Sequence, residues 1–140
     1  MNRKVAARKF EDLEVWQDAR RLANRIYDVT KSPELSRDFP LRNQIRRSAI
    51  SVVSNIAEGF DRFNPEEFRH FLSISKASCA EIRAQLYLAH DQGYLDVNLL
   101  ISLKDDAEKI GSQLSNLMSY LKNHSNSTGQ PIAHQPAPRT

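Results

Sequence analysis

The sequence predicts an all-α fold, an antiparallel up-down-up-down four-helix bundle with a disordered C-terminal tail. Three observations lead there. Apolar residues recur at spacings of three and four in four separate segments, the period of a helix with one buried face. Glycine and proline are scarce, 4 and 6 of 140 residues, which argues against a chain of many tight β-turns. The segments are joined by links that favour antiparallel neighbours. A chain of 140 residues makes one domain. Folding at this size buries roughly two thirds of the unfolded surface, enough for a core without metal or disulfide staples.

Val15, Ala19, Leu22, Ile26 and Val29, spaced 4, 3, 4, 3, form the seam of helix 1, placed at about 13–31. Trp16, Ala23 and Tyr27 widen that stripe on one side. Ser32-Pro33 ends the helix, because the residue before proline disfavours the α region. After a connection over 32–39, Pro40 suits the first turn of helix 2, where a missing N–H costs nothing. Leu41, Ile45, Ser48, Ala49, Val52 and Ile56 mark one face of helix 2, and Ile50, Val53 and Ala57 mark another. From Ala49 to Ala57 the helix is apolar almost all round, a pattern that asks for burial on every side. Helix 2 is therefore expected to be central or to be covered by a second subunit. Ile50, Val53 and Ala57 are the candidate oligomer interface, and Gly59 is the expected residue just past the helix end.

Asn64-Pro65-Glu66-Glu67 opens helix 3. Asn64 caps, Pro65 takes the first helical position and Glu67 can complete a capping box. Phe68, Phe71, Leu72, Ser75, Ser78, Cys79, Ile82, Leu86 and Ala89 run down one face, and Gly93 ends the helix, giving about 65–92. Its middle is rich in Ser and Ala, which lets a neighbouring helix approach closely. Only Tyr94, Leu95 and the capping Asp96 separate it from helix 4 at about 97–123, so the two form a hairpin. Leu100, Leu103, Ala107, Ile110, Leu114, Leu117 and Leu121 give helix 4 a sustained heptad seam. Beyond it the chain is Ser, Asn, Gly, Gln, Pro and Ala with almost no apolar content. The expected organisation is a basic N-terminal arm at 1–11, the bundle at 12–124 and a disordered tail at 125–140.

The formal net charge is +3, with 12 Lys and Arg against 8 Asp and Glu in residues 1–60 and 7 against 9 in residues 61–124. A basic excess toward the front permits contact with nucleic acid. No apolar run approaches the length of a transmembrane helix, and no apolar core follows the first basic residues, so a cytoplasmic protein is expected. The single cysteine, Cys79, excludes an internal disulfide and a Cys-based zinc ribbon. On an apolar helical face it reads as a small buried hydrophobe. Glu67 and His70 make one E-x-x-H, whereas a di-iron bundle needs two plus further inward glutamates. No phosphate-binding glycine loop or nucleophile elbow is present. Neither enzymatic activity nor a metal or cofactor is expected.

The segment from Gln44 to Gly59 carries the specific information. Arg46 and Arg47 stand before the apolar stretch, Asn55 and Glu58 stand near its far end, and Glu81 interrupts an apolar face of helix 3. Buried charges are costly unless paired, so Arg46, Arg47, Asn55, Glu58 and Glu81 are expected to form a buried polar network. In it an arginine meets Glu81 or an acid of a neighbouring subunit. Solvated arginines at the bundle end, with the glutamates capping or snorkelling, are the alternative, and Glu58 could also pair with Arg62 four residues on. Gln44-Ile45-Arg46-Arg47-Ser48-Ala49, Ser51 and Ser54-Asn55-Ile56-Ala57-Glu58-Gly59 closely resemble the four helix bundle protein family, also called 23S ribosomal RNA intervening-sequence proteins. Phe10 to Trp16, Phe71-Leu72 with Ser78 and Glu81, and Gly93-Tyr94-Leu95 extend the resemblance over about residues 10–121. The sequence departs from the family at Val53, where proline is usual, and at Pro40 and Ala77, where glycine is usual. Helix 2 is expected to be straighter for lacking that proline.

The resemblance implies an up-down bundle that assembles as a homopentamer with a basic surface or central channel. It also implies an origin within inserts of bacterial ribosomal RNA genes. Related accessory proteins of diversity-generating retroelements form similar pentamers that engage nucleic acid and a reverse transcriptase. The expected function is thus a non-enzymatic oligomer that associates with RNA or another nucleic acid. Arg20, Arg21, Arg25, Arg42, Arg46 and Arg47 are the candidate phosphate contacts. The alternatives are an adaptor that binds a protein partner, such as a reverse transcriptase, on its oligomeric surface, and a bundle that holds a small molecule or metal.

Overall fold

The computed structural model describes residues 7–124. The expected tail at 125–140 and the first six residues of the expected arm lie outside the described residues. Four α-helices follow in order: α1 Glu14–Val29, α2 Phe39–Phe60, α3 Pro65–Asp91 and α4 Val97–His124. Short 3-10 turns at Phe10–Asp12 and Leu35–Arg37 precede α1 and α2. No strand occurs among the described residues, and none of these helices is long and apolar enough to cross a membrane.

Cross-helix contacts fix the antiparallel register. Ser48 meets Glu81, Ser51 meets Ser78 and Val52 meets Ser75, so α3 runs back along α2. Arg83 meets Glu108, returning α4 along α3. Asp18 meets Gln113 and Arg25 meets Asp106, which closes α4 onto α1. Neighbours in sequence are therefore neighbours in space, and the ring closes, as expected of an up-down-up-down bundle.

The core follows the predicted seams. Val15, Ala19, Leu22 and Ile26 are buried on α1, and all seven seam residues of α4 are buried. On α3, Phe68, Leu72, Ile82, Leu86 and Ala89 are fully inside, with Phe71 half-buried. Each large apolar side chain so removed from water contributes about 1.5–3 kcal/mol against the entropy of ordering the chain. Of the described part of the expected basic arm, Ala7 and Phe10 pack onto the bundle, while Arg8, Lys9 and Glu11 are exposed. Ala7 is buried, and the Phe10 ring lies 5.0 Å from Trp16, edge to face.

The helix ends have local causes. Asp38 caps α2 by accepting from Leu41 N–H at 3.2 Å, Asn64 caps α3 by accepting from Glu67 N–H at 2.9 Å, and Asp96 caps α4 through Leu99 N–H at 2.8 Å. Gly93, at φ +83°, closes α3, with Tyr94 N–H on the Ala89 carbonyl and Gly93 N–H on that of His90. Gly59 does not end α2. It lies inside the helix, where a Cβ would stand 2.7 Å from Phe71 Cβ and 2.9 Å from Phe68 Cδ1. Its missing side chain lets α3 approach, and α2 runs one residue further to Phe60. The turn to α3 uses Phe63 at φ +53°, a left-handed conformation in a non-glycine residue.

Two glycine substitutions separate packing from propensity. Gly59→Ala is expected to destabilise the chain by about 1–3 kcal/mol through overpacking. Gly111→Ala, whose Cβ meets nothing within 4 Å, is expected to stabilise it by about 0.5–1 kcal/mol. Urea unfolding of both variants measures the difference; equal signs would contradict the packing described.

Candidate nucleic-acid interface

The six candidate arginines divide between two flanks of α1. Arg21 and Arg25 lie toward α4 and are matched by acids. Arg21 pairs with Asp18, and Arg25 Nη1 meets Asp106 at 2.6 Å while its Nη2 donates to Ser102 Oγ at 2.9 Å. The α1–α2 flank holds Arg20, Arg42 and Arg46, each lying over an aromatic ring. Arg20 stands 5.8 Å from the Trp16 centroid, Arg42 4.8 Å from Phe39 and Arg46 4.5 Å from Tyr27. Such stacking attracts a cation without removing its charge.

Arg46 is held further. Its Nε donates to Thr30 Oγ1 at 2.7 Å, and the fully buried Thr30 hydroxyl donates in turn to the Ile26 carbonyl at 2.8 Å. Arg42 Nη1 donates to the Ser36 carbonyl at 3.0 Å. Arg47 is exposed on the outer face of α2. None of Arg20, Arg42, Arg46 and Arg47 has a carboxylate within ion-pair distance among the described residues. Sequence reasoning found these arginines but not the rings beneath them.

The five residues expected to form a buried polar network do not form one within the chain. Arg47, Glu58 and Glu81 are exposed, whereas Arg46 and Asn55 are half-buried and point to different neighbours. Glu58 pairs with Arg62 at 2.9 Å. Glu81 accepts only a long 3.4 Å hydrogen bond from Ser48, and Asn55 donates to the Ser51 carbonyl at 2.9 Å. The physical reason is that Thr30 and Tyr27 already occupy Arg46, so no carboxylate need be dragged inside to meet it. Between α2 and α3 two buried hydroxyls are paired: Ser75 Oγ donates to the Val52 carbonyl at 3.0 Å and Ser78 Oγ to Ser51 Oγ at 2.8 Å.

The apolar circumference of α2 is largely absorbed by its own chain. Val53 and Ala57 are half-buried on the side of α1, and Val53 packs on the core. Ile50 remains 47% exposed beside Arg47 and Ser54. On α3 the outer side carries exposed Ala77, Ala84 and Leu88 next to Glu81. Glu67, the acid of the single E-x-x-H, faces Arg62 Nη1 at 3.6 Å, and His70 lies against the Phe71 ring. No group of three potential metal ligands occurs among the described residues.

Comparison with known proteins gives the family and the fold. The model of the family described as 23S rRNA-intervening sequence protein matches residues 11–116. Among solved structures, the chain is similar to a protein of unknown function from the S23 ribosomal protein family of Bacteroides thetaiotaomicron. Identity is 24%, the TM-score is 0.70, and the match covers 74% of this chain and 97% of that one. No curated protein matches the chain.

Cys79 offers no reactive thiol. It is 2% exposed, and burial pushes its thiol up to about 12, with Arg83 lowering it only in part. Because the folded value exceeds the ordinary 9.0, this group stabilises the fold fully below pH 9 and loses that contribution as pH rises toward 12. A disulfide reagent at neutral pH is expected to leave the folded chain unmodified and to label it stoichiometrically in urea. Rapid labelling of the native chain would show that Cys79 is accessible.

Proposed function

This chain belongs to the 23S rRNA-intervening sequence protein family, and we propose that it acts as a non-enzymatic, self-associating helical bundle that binds RNA. The α1–α2 flank is the binding surface. One observation carries the reading: Arg20, Arg42 and Arg46 each lie over an aromatic ring on this flank, and none of them has a carboxylate within ion-pair distance among the described residues. Exposed arginines without acids would normally be solvated by water alone. Ordered on rings, they lose less side-chain freedom when a phosphate arrives, and guanidinium is suited to bidentate phosphate contacts. Arg21 and Arg25 already spend their charge on Asp18 and Asp106 and contribute less.

Self-association supplies the rest of the affinity. A single copy carries only +3, too little for a strong field. Five copies, the number that the family resemblance implies, would carry about +15 and hold a polyanion far better. Ile50, exposed beside Arg47, with Ala77, Ala84 and Leu88 on the same outer side of the α2–α3 pair, supports this side as the contact between copies. Assembly there would bring Arg47 of one copy close to acids of the next, and Glu81 and Glu58 are the exposed carboxylates on that side.

Two measurements test the reading. In RNA gel shifts, affinity is expected to fall steeply with salt. Arg20→Glu is expected to reduce the log–log salt slope by about one, whereas Arg21→Glu leaves it near the parent value. No shift at low salt and micromolar protein would end the proposal. By light scattering the parent chain is expected to exceed the mass of one copy. Ile50→Asp, which would bury an unpaired carboxylate costing several kcal/mol, is expected to lower that mass. An unchanged mass for the variant would place the contact elsewhere.

A further inference from the structure

A groove of about 540 Å³ runs between α3 and α4, on the flank opposite the α1–α2 arginines. Buried Cys79 and Ala107, half-buried Gly111 and exposed Ala80 line it together with polar side chains. From α3 come Lys76 and Arg83; from α4 come Glu108, Ser112, Ser115 and Asn116. We propose that this groove binds a phosphate group, with Lys76 supplying the charge and Ser112, Ser115 and Asn116 the neutral hydrogen bonds.

The charge distribution along the groove supports an anion at one end. Glu108 is held by Lys104 Nζ at 3.1 Å and by Arg83 Nε at 3.8 Å, so its charge is already met by two cations. That contact also sets the register. Moving seven residues back along α3 and seven forward along α4 places Lys76 opposite Ser115, about 10 Å from the Glu108 cluster. Lys76 is exposed and has no carboxylate within ion-pair distance among the described residues. Around it stand two hydroxyls and an amide, groups that donate to phosphate oxygens without adding charge.

Gly111 points the same way. Glycine inside a helix is destabilising relative to alanine, so a mid-helix glycine normally answers a packing need. Gly59 does so against Phe71, but a Cβ at Gly111 would meet nothing within 4 Å. Internal packing therefore gives no reason for this glycine. Its missing side chain leaves space open where Gly111 lines the groove. The volume lies within the range of small-ligand sites and fits a nucleotide-sized phosphate monoester or one phosphodiester of a nucleic acid strand.

Amide spectra of the full chain, titrated at low ionic strength with inorganic phosphate, adenosine monophosphate, adenosine and a short RNA, test this. Saturable shifts at Gly111, Ser112, Ser115 and Asn116 are expected with phosphate and the monophosphate and not with adenosine. A free monoester as ligand gives the tighter response with the monophosphate; a strand phosphodiester gives it with the RNA. Lys76→Glu is expected to weaken phosphate at least about tenfold, the loss of a charge-assisted hydrogen bond. Lys109→Glu, the same charge change at an exposed α4 position outside the groove, is expected to have little effect. Gly111→Leu, which puts a bulky side chain into the groove, is expected to weaken phosphate in a folded chain. Absent or non-saturable phosphate shifts, or equal loss in the two lysine variants, would overturn the site. Either result leaves the arginine flank and its RNA gel shifts untouched.

Discussion

The close seating of α3 on α2 is the constraint on which the rest of the molecule depends. Along the middle of that seam small hydroxylated residues face one another, Ser48 and Ser51 on α2 and Ser75 and Ser78 on α3, and at its end Gly59 makes room for Phe68 and Phe71. Large apolar residues there would hold the helices apart; small ones let the backbones approach. The hydroxyls would be a liability if buried alone, yet each has a partner. Ser75 bonds the Val52 carbonyl across the seam, and Ser78 bonds Ser51. Polar groups satisfied in this way cost little and fix the register that an apolar seam would leave free to slide. With the register fixed, the outer face of α2 is determined. Arg47, Ile50 and Ser54 point outward because Ser48, Val52 and Gly59 point in.

The other flank of α2 shows a different solution to the burial of charge. Arg46 could have entered the bundle with a carboxylate, at the cost of desolvating both ions. Instead its guanidinium lies on Tyr27 with one N–H on the Thr30 hydroxyl, and the remaining donors stay at the surface. Arg42 on Phe39 and Arg20 on Trp16 repeat the arrangement. The bundle thus carries cations that are ordered but not neutralised, next to the α1–α4 side where arginines are neutralised by Asp18 and Asp106.

Much of this was legible in the sequence, for reasons that differ by element. The α4 seam was, because a strict heptad of Leu, Ile and Ala allows one buried face only. The starts of α3 and α4 were, because Asn64 and Asp96 act on donors three residues away. The role of Gly59 was not: a glycine near the end of an apolar run looks the same whether it caps the helix or admits Phe68 and Phe71 from another. Of the stacked arginines, Arg20 and Arg42 sit four and three residues from their rings, so local spacing held the signal. Arg46 meets Tyr27 and Thr30 only once α1 and α2 have packed, and no pattern along the chain marks that meeting. Within one chain the expected ionic network does not form, because the Thr30 hydroxyl and the Tyr27 ring take the place of a carboxylate beside Arg46.

Asp38 serves two masters. One carboxylate oxygen holds the first turn of α2 through Leu41 N–H, and the other accepts the Tyr94 hydroxyl at 3.0 Å from the α3–α4 hairpin, 56 residues away. The tip of one hairpin is thereby tied to the opening of a helix that belongs to the other half of the chain. The two bonds share one carboxylate, so any displacement of Asp38 acts on the first turn of α2 and on the hairpin together.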